Sequence, residues 1–235
     1  MVSGERLLLI AAEPREFSGL LKFCRNLKPL AWAVRSVRSA DLNGREILLV
    51  ANGAGRRRAA QAVDVASRMS KLDLICNMGF CGALESGMEI GDIFVAGRVQ
   101  TGDAVYAAVQ PQSKRPYHAG VLASIDHVTQ TAEEKRNLRA RGASAVEMEA
   151  AGVAEKAAEL GVPFYCVRSV TDLADESFGL DFNAALRPDG RFDTMRLIAA
   201  SCRRPLSLLP ELLRLGKRCH TASRTLGEFV ADCRF

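Results

Sequence analysis

The chain has 235 residues, a formal net charge of +5 and 48% hydrophobic residues, enough to bury one sizeable core. No internal repeat or low-complexity linker divides it, so we expect a single domain over residues 1–235. The apolar run at residues 7–12 is too short to span a membrane, and no signal-peptide cleavage pattern follows it, so we expect a cytoplasmic protein. The seven cysteines form no C-x-x-C pair. We interpret them as reduced thiols.

Five short apolar runs rich in Val, Ile and Leu are predicted to be buried strands, at residues 6–12, 47–51, 72–78, 93–99 and 164–170. Helical spacing is found in three segments, at residues 56–70, 133–141 and 150–160. The last of these is followed by Gly161 and Pro163, which are typical of a helix end. Strands that alternate with helices predict an α/β fold, a three-layer sandwich with a central, largely parallel or mixed β-sheet.

Polar residues and glycines follow four of the predicted strands. They are Glu13 and Glu16 after the first strand, Gly53 and Gly55 after the second, residues 80–82 after the third, and Thr171 and Asp172 after the last. Because open α/β sheets bind ligands beyond the carboxyl ends of their strands, we expect one rim of the sheet to form the functional site. Short polar loops alone would also account for part of this pattern.

Residues 144–151 carry two glutamates, Glu147 and Glu149, just before the third predicted helix. In a strand these side chains would share a face. A carboxylate so placed can accept two charge-assisted hydrogen bonds from a vicinal diol such as that of ribose. The alternative is that both glutamates lie in the first turn of the helix, where the helix dipole favours acids.

Residues 167–175 run from an apolar strand directly into Thr171 and Asp172. Desolvation at the edge of an apolar core disfavours a charged carboxyl group, so Asp172 would persist there as a proton donor. Alternatively, one of these two side chains is the N-cap of a following helix.

Six motifs stand in order along the chain: IAAEPRE at residues 10–16, NGAGR at 52–56, NMGFCGAL at 77–84, GDIFVA at 91–96, AVEMEA at 145–150 and RSVTDLAD at 168–175. With them the sequence resembles the purine nucleoside phosphorylase and uridine phosphorylase superfamily. Within it, the sequence resembles the branch of the methylthioadenosine/S-adenosylhomocysteine nucleosidases. The pair VEMEA and SVTD is more specific than any single motif.

The resemblance implies an enzyme that cleaves the N-glycosidic bond of a purine nucleoside. Asp172 would be the acid that protonates the base at N7, and Glu16 would activate water. Glu149 would hold the ribose hydroxyls, Met148 would pack against the sugar, and Thr171 would lie in the base pocket. Three further residues are expected to contact substrate: Phe80, Glu147 and Val128. The resemblance implies no cofactor other than inorganic phosphate as a possible co-substrate, and the histidines have no metal-like spacing.

The sequence departs from the nucleosidases at three places, one of which is a shorter stretch between Val99 and the EME motif. Phe80 and Cys81 replace a stretch that typically contains a serine, which removes a hydroxyl and adds a ring beside the sugar. Residues 124–129, where the family stacks an aromatic ring on the base, read SIDHVT. Residues 79–84 look more like the hopanoid-associated phosphorylases, whose substrate is adenosylhopane. We therefore expect a 5′-modified adenosine as substrate, with adenosylhopane as one candidate.

The attacking nucleophile is left open by the sequence. Gly53 and Gly55 precede a predicted helix start that could bind an anion, and Arg15 and Arg56 could then make the enzyme a phosphorylase. Glu16 favours water instead. The arginines would equally fit a solvated helix face.

Residues 200–235 hold seven Lys or Arg against three acids. Either a solvated helix face or an anionic partner would fit this charge. Leucines mixed with cations would suit peripheral membrane contact, although Pro210 is expected to interrupt any long helix, and core packing of the leucines is the alternative.

Two other classes of function remain, a non-catalytic nucleoside-binding module and a nucleic-acid binder. The presence of both Asp172 and Glu16 argues against the first. The second lacks a recognition motif, so we expect no nucleic-acid partner. We expect a homo-oligomer, because members of the family usually build their pockets near subunit contacts.

Overall fold

A ten-stranded mixed β-sheet forms the centre of the protein in a computed structural model, which describes residues 5–235. The strands are β1 (Leu7–Ala11), β2 (Cys24–Pro29), β3 (Ser36–Leu42), β4 (Arg45–Ala51), β5 (Leu74–Ala83), β6 (Ile93–Thr101), β7 (Ala104–Ala107), β8 (His118–Ser124), β9 (Ala145–Glu147) and β10 (Phe164–Asp172). The helices are α1 (Arg56–Met69), α2 (Ala132–Ala140), α3 (Ala150–Leu160), α4 (Phe182–Ala185), α5 (Thr194–Arg203) and α6 (Pro205–Asp232). Two 3₁₀ turns, Pro14–Phe17 and Leu20–Phe23, separate β1 from β2.

The strand order is β10, β6, β8, β9, β5, β1, β4, β3, β2; β7 pairs with β6 off this path, and β10 also pairs with β5. That extra pairing closes one half of the sheet on itself. β1 and β10 both run parallel to β5. Their carboxyl ends therefore meet at one rim, as the positions of the polar residues predicted.

Helices cover both faces of the sheet. Alanines and valines of α1 and α3 pack into one apolar core, and Leu226, Phe229 and Val230 of α6 pack into the other, together with Phe17 and Leu20 of the 3₁₀ turns. The two cores on either side of a mixed sheet confirm the predicted three-layer α/β architecture.

The helix α6 continues through Pro210, so the expected interruption is wrong. Pro210 lies near the start of the helix, where its ring removes the hydrogen bond to the carbonyl of Leu206. The Leu206 residue is 95% exposed, which lets water satisfy that carbonyl. Within the described residues, no helix is both long enough and apolar enough to cross a membrane.

Candidate active site

A cavity of about 300 Å³ lies at the carboxyl ends of β1, β5 and β10. Nine of the residues predicted from the sequence line it: Arg15, Glu16, Phe80, Val128, Glu147, Met148, Glu149, Thr171 and Asp172. The tenth, Arg56, lies outside the lining and donates a 2.9 Å hydrogen bond to Glu155 at the surface. The fold thus gathers residues from five distant stretches of sequence around one space.

Glu16 is buried in the 3₁₀ turn that follows β1. Its carboxylate accepts hydrogen bonds from the backbone N–H of Glu13 at 2.8 Å and of Phe80 at 3.2 Å. Burial raises the pKa of Glu16, while these backbone donors and the Arg168 guanidinium oppose the shift. A buried carboxyl with a raised pKa is suited to accept a proton near neutral pH.

Arg168 is a fully buried cation on β10 that the sequence reasoning did not assign. Its guanidinium donates to Asn77 Oδ1 and to the Glu147 carboxylate. Burial would lower the pKa of Arg168, but the neighbouring acids, Glu147 first, raise it above its ordinary value. The signal that could have identified it is a charged residue inside an apolar strand, which must find a partner.

Gly79 provides the space for this charged cluster. A Cβ at that position would lie 2.5 Å from Nη1 of Arg168 and 3.0 Å from Oε1 of Glu16. The glycine in the NMGFCGAL motif is therefore required by the close approach of two side chains, because its φ imposes no left-handed conformation.

Glu147 and Glu149 lie on different elements, since β9 ends at Glu147 and α3 begins at Ala150. The expectation of a shared strand face is therefore wrong. Glu147 accepts hydrogen bonds from the backbone N–H of Glu149 at 2.8 Å and of Ala150 at about 3 Å. Its carboxyl group therefore acts on the start of α3, which is close to the alternative that the sequence left open. Glu147 thus orders the backbone that presents Glu149 to the cavity.

Glu149 is the residue immediately before α3, and its Oε1 accepts the Gly55 N–H at 2.8 Å. Burial and the neighbouring Glu147 raise the pKa of Glu149 to about 8, against the opposing effect of Arg168. The N–H group at the start of α1, which the sequence suggested for a phosphate, is occupied by this carboxylate.

Asp172 is the last residue of β10 and faces the cavity with 12% of its side chain exposed. The Thr171 hydroxyl donates to its Oδ1 at 3.0 Å, and Lys135 Nζ donates to its Oδ2 at 2.5 Å. A Cβ at Gly82 would lie 2.6 Å from the same Oδ2, so a glycine gives the carboxyl its place. The alternative of an N-cap at Thr171 or Asp172 is wrong, because the next helix begins at Phe182 with Asp181 as its cap.

The other end of the cavity is apolar. Its walls come from the segment that precedes α4 and from α4 to α6, and include Phe178, Phe182, Phe192, Leu197, Leu212 and Leu215. Edge-to-face contacts hold the rings together, with 5.1 Å between the ring centres of Phe178 and Phe182. One cavity therefore joins a carboxylate-lined end to a hydrocarbon-lined end.

Val128 links these two ends. Its N–H donates to Asn183 Oδ1 at 2.7 Å, and its carbonyl accepts from Asn183 Nδ2 at 2.9 Å. This pair of bonds ties the loop before α2 to α4. In the described part of the chain, no group of three or more His, Cys, Asp or Glu is placed to hold a metal.

Comparisons with known proteins indicate the same superfamily that the sequence motifs predicted. The model of the phosphorylase superfamily matches residues 103–190. A curated relative, 5′-methylthioadenosine/S-adenosylhomocysteine nucleosidase of Staphylococcus aureus, is 27% identical over 207 residues, which is 76% of this chain and 91% of the relative.

Two solved structures share the fold over nearly the whole chain. The 5′-methylthioadenosine/S-adenosylhomocysteine nucleosidase of Neisseria meningitidis, in complex with methylthio-immucillin-A, is 20% identical with a TM-score of 0.74 and 97% of each chain covered. Futalosine hydrolase of Helicobacter pylori is 17% identical with a TM-score of 0.73, covering 96% of this chain and 95% of its own. The family model, the curated relatives and the shared fold together confirm that this chain resembles the phosphorylase superfamily, as its motifs predicted.

Proposed function

We propose that the protein hydrolyses the N-glycosidic bond of an adenosine that carries an apolar 5′ substituent, and so releases adenine. The observation that carries the proposal is the convergence of Glu16, Glu149 and Asp172 on one cavity. The broader prediction, an enzyme of the nucleosidase and phosphorylase class, is confirmed by the relatives.

The three carboxyl groups divide the chemistry. Asp172 protonates the departing base at N7, because an adenine anion is a poor leaving group. Glu149 accepts the ribose hydroxyls, and Glu16 takes a proton from the attacking water. The transition state carries positive charge on the sugar, which the carboxyl oxygens of Glu16 and Glu149 stabilise.

Water is the nucleophile in this proposal. Phosphate would need free donors near the sugar, but the Gly55 N–H is taken by Glu149 and Arg56 is paired with Glu155. A phosphate dianion would also meet the carboxyl groups of Glu16 and Glu149, which repel it when they are ionised, and only Arg15 among the predicted phosphate ligands lines the cavity. The proposed reaction therefore uses water in place of phosphate.

The apolar end of the cavity receives the 5′ substituent. Burial of hydrocarbon against Phe182, Phe192 and Leu212 stabilises the complex by about 25 cal/mol for each Å² removed from water. Adenosylhopane, named by the resemblance of residues 79–84, is one member of this substrate class.

Product analysis tests the proposal. Adenosine and a series of adenosines with 5′-alkylthio groups of increasing length are incubated with and without phosphate. We expect free adenine and a free sugar in phosphate-free buffer, with kcat/KM rising with alkyl length. A strict phosphate requirement with a sugar 1-phosphate product would contradict hydrolysis, and an equal kcat/KM for all chain lengths would contradict the apolar subsite.

Peripheral membrane contact belongs to the same proposal. Five large apolar side chains are exposed on α5 and α6: Met195, Ile198, Leu206, Leu209 and Leu213. Arg196, Arg214 and Lys217 are exposed on the same two helices, and Arg204 is exposed between them. Apolar residues beside cations favour an anionic lipid surface. Co-sedimentation with phosphatidylglycerol vesicles, but not with phosphatidylcholine vesicles, is the expected result.

The protein would act as a cytoplasmic homo-oligomer built from one domain in each chain. Light scattering of the purified protein measures the oligomeric state. A monomer at micromolar concentration would contradict that part of the proposal.

A further inference from the structure

Lys135 is a charged residue that is buried beside the proposed active site. It belongs to α2, a helix whose other residues are partly or fully exposed, yet its own exposure is only 1%. Burying an ammonium group costs several kcal/mol unless it is paired and hydrogen-bonded. A lysine in this position therefore has to be explained by what it touches.

All contacts of the Lys135 ammonium lie beside the proposed acid. Nζ donates to Asp172 Oδ2 and to the carbonyl oxygen of Leu173, each at 2.5 Å. It also lies 5.8 Å from the ring centre of Phe178, within the range of a cation–π contact. The ammonium thus holds one oxygen of Asp172 and one wall of the cavity.

Arg218 and Cys219 also lie near Asp172. The pKa of the Arg218 guanidinium is raised chiefly by its hydrogen bond to Glu176, and Asp172 raises it less. The thiol of Cys219 is a more distant neighbour, and the Thr171 hydroxyl holds the second oxygen. Lys135 is the cation in direct contact with the carboxyl group.

We propose that Lys135 is a positioning residue for departure of the base, an inference that rests on the proposed function. As the base leaves, the O–H bond of Asp172 breaks and an N7–H bond forms. The C1′–N9 bond breaks at the same time, and its electron pair stays with the base. Asp172 becomes a carboxylate, which the ammonium of Lys135 stabilises while keeping all its own protons. The same contact orients the acid toward the cavity.

The test uses Lys135→Met, with Arg136→Met as the matched control, because Arg136 is exposed on the same helix. Loss of one charge-assisted hydrogen bond to the transition state should lower kcat about ten- to a hundredfold, with a smaller change in KM. In an Asp172→Asn background, Lys135→Met should add less than about threefold, because the two residues act on one step. Losses that multiply in the double variant would overturn the proposal.

A second substrate separates chemistry from folding. An N7-methylated adenosine leaves as a neutral base without protonation, so Lys135→Met should cleave it at nearly the wild-type rate. The ratio of the two turnover rates does not depend on how much of the variant is folded. An unchanged ratio would mean that Lys135 only supports the structure. Failure of the wild type to release adenine from any nucleoside would instead contradict the proposed function.

Discussion

At the scale of the residue, Asp172 has the most direct test. Asp172→Asn keeps one oxygen, which can accept from Lys135 or from Thr171 but not from both, and its amide cannot transfer a proton. Because general-acid catalysis contributes about 10² to 10⁴-fold, kcat should fall at least about a hundredfold while KM changes little. Steady-state kinetics of adenine release measure this. Wild-type turnover in the variant would remove the acid from the mechanism.

The carboxyl of Glu149 gives a pH prediction. Its pKa is raised from 4.5 to about 8 by burial and by Glu147, so the folded chain retains a proton that the unfolded chain has lost. Between pH 4.5 and about 8 the unfolded chain binds fewer protons at this site than the folded chain does. The stability that this site contributes must therefore fall as pH rises.

The side chain in Glu149→Gln does not titrate, so this source of pH dependence is lost. The melting temperature of the variant should therefore rise relative to that of the wild type as pH rises from 4.5 to about 8. A change of 1 kcal/mol in the free energy of unfolding shifts the melting temperature of a chain of this size by about 2–4 °C. Glu159→Gln, at an exposed position on the helix α3 that follows Glu149, is the control and should show a much smaller trend. A gain that shrinks with rising pH would contradict the raised pKa.

Gly79 tests whether the charged cluster is as tightly packed as the structure indicates. The added methyl of Gly79→Ala would displace Arg168 and Glu16, so we expect a loss of about 1–3 kcal/mol of stability and most of the activity. Gly87→Ala is the control, because its Cβ would have no neighbour within 4 Å among the described residues. Chemical denaturation and turnover are measured on both variants. Equal behaviour of the two would show that the cluster tolerates the methyl group.

At the scale of the element, the sequence predicted β1, β4, β5, β6 and β10, which are mostly buried. It missed the partly exposed β2, β3, β7 and β8, and the buried but very short β9. β1 and β10 are continuous apolar runs, as parallel strands covered by helices should be. β2 is mostly exposed and contains Lys28 and Pro29, residues typical of a sheet edge, which carry no strand signal of their own. The motifs placed Glu16, Glu149 and Asp172 correctly in one cavity.

The residues that the sequence could not assign are the two buried cations. Arg168 stands in an apolar strand, which is a recognisable signal. Lys135 stands in the run EEKR, where nothing distinguishes it from its solvated neighbours. Only the packing of α2 against the end of β10 makes it a buried partner, and that packing depends on distant residues.

The helix α6 offers a prediction for the apolar end of the cavity. Leu212 lines the cavity, whereas its neighbour Leu213 is 60% exposed. Leu212→Gln should lower kcat/KM for long 5′-alkylthio adenosines about tenfold or more and leave adenosine nearly unaffected, because a buried apolar side chain contributes about 1.5–3 kcal/mol. Leu213→Gln is the control for kinetics. A loss that is equal for all substrates would place Leu212 outside the substituent site.

At the scale of the whole molecule, α6, late in the chain, packs against the 3₁₀ turns that follow β1, early in the chain. A Cβ at Gly227 would lie 2.1 Å from the backbone nitrogen of Leu20, and one at Gly19 would lie 2.0 Å from the carbonyl oxygen of Ser223. The helix and the turns after β1 therefore meet backbone to backbone. Glu16 lies in the first of those turns, so this contact supports the site.

Gly227→Ala should consequently destabilise the protein by several kcal/mol, since neither backbone can yield. Gly216→Ala, on the same helix, has no described neighbour within 4 Å of the added Cβ and should raise stability by about 0.5–1 kcal/mol through helix propensity. Thermal melting distinguishes them. A Gly227→Ala protein that melts with the wild type would contradict the close contact.

This contact also sets the order in which the enzyme can be made. A ribosome delivers the turn that holds Glu16 early and the helix that covers it late. Until α6 emerges, the nascent chain exposes Phe17 and Leu20, which α6 later buries. Glu16, the residue proposed to activate water, thus reaches its buried environment only after α6 has been synthesised, and a ribosome-bound chain stopped before α6 should bind no nucleoside.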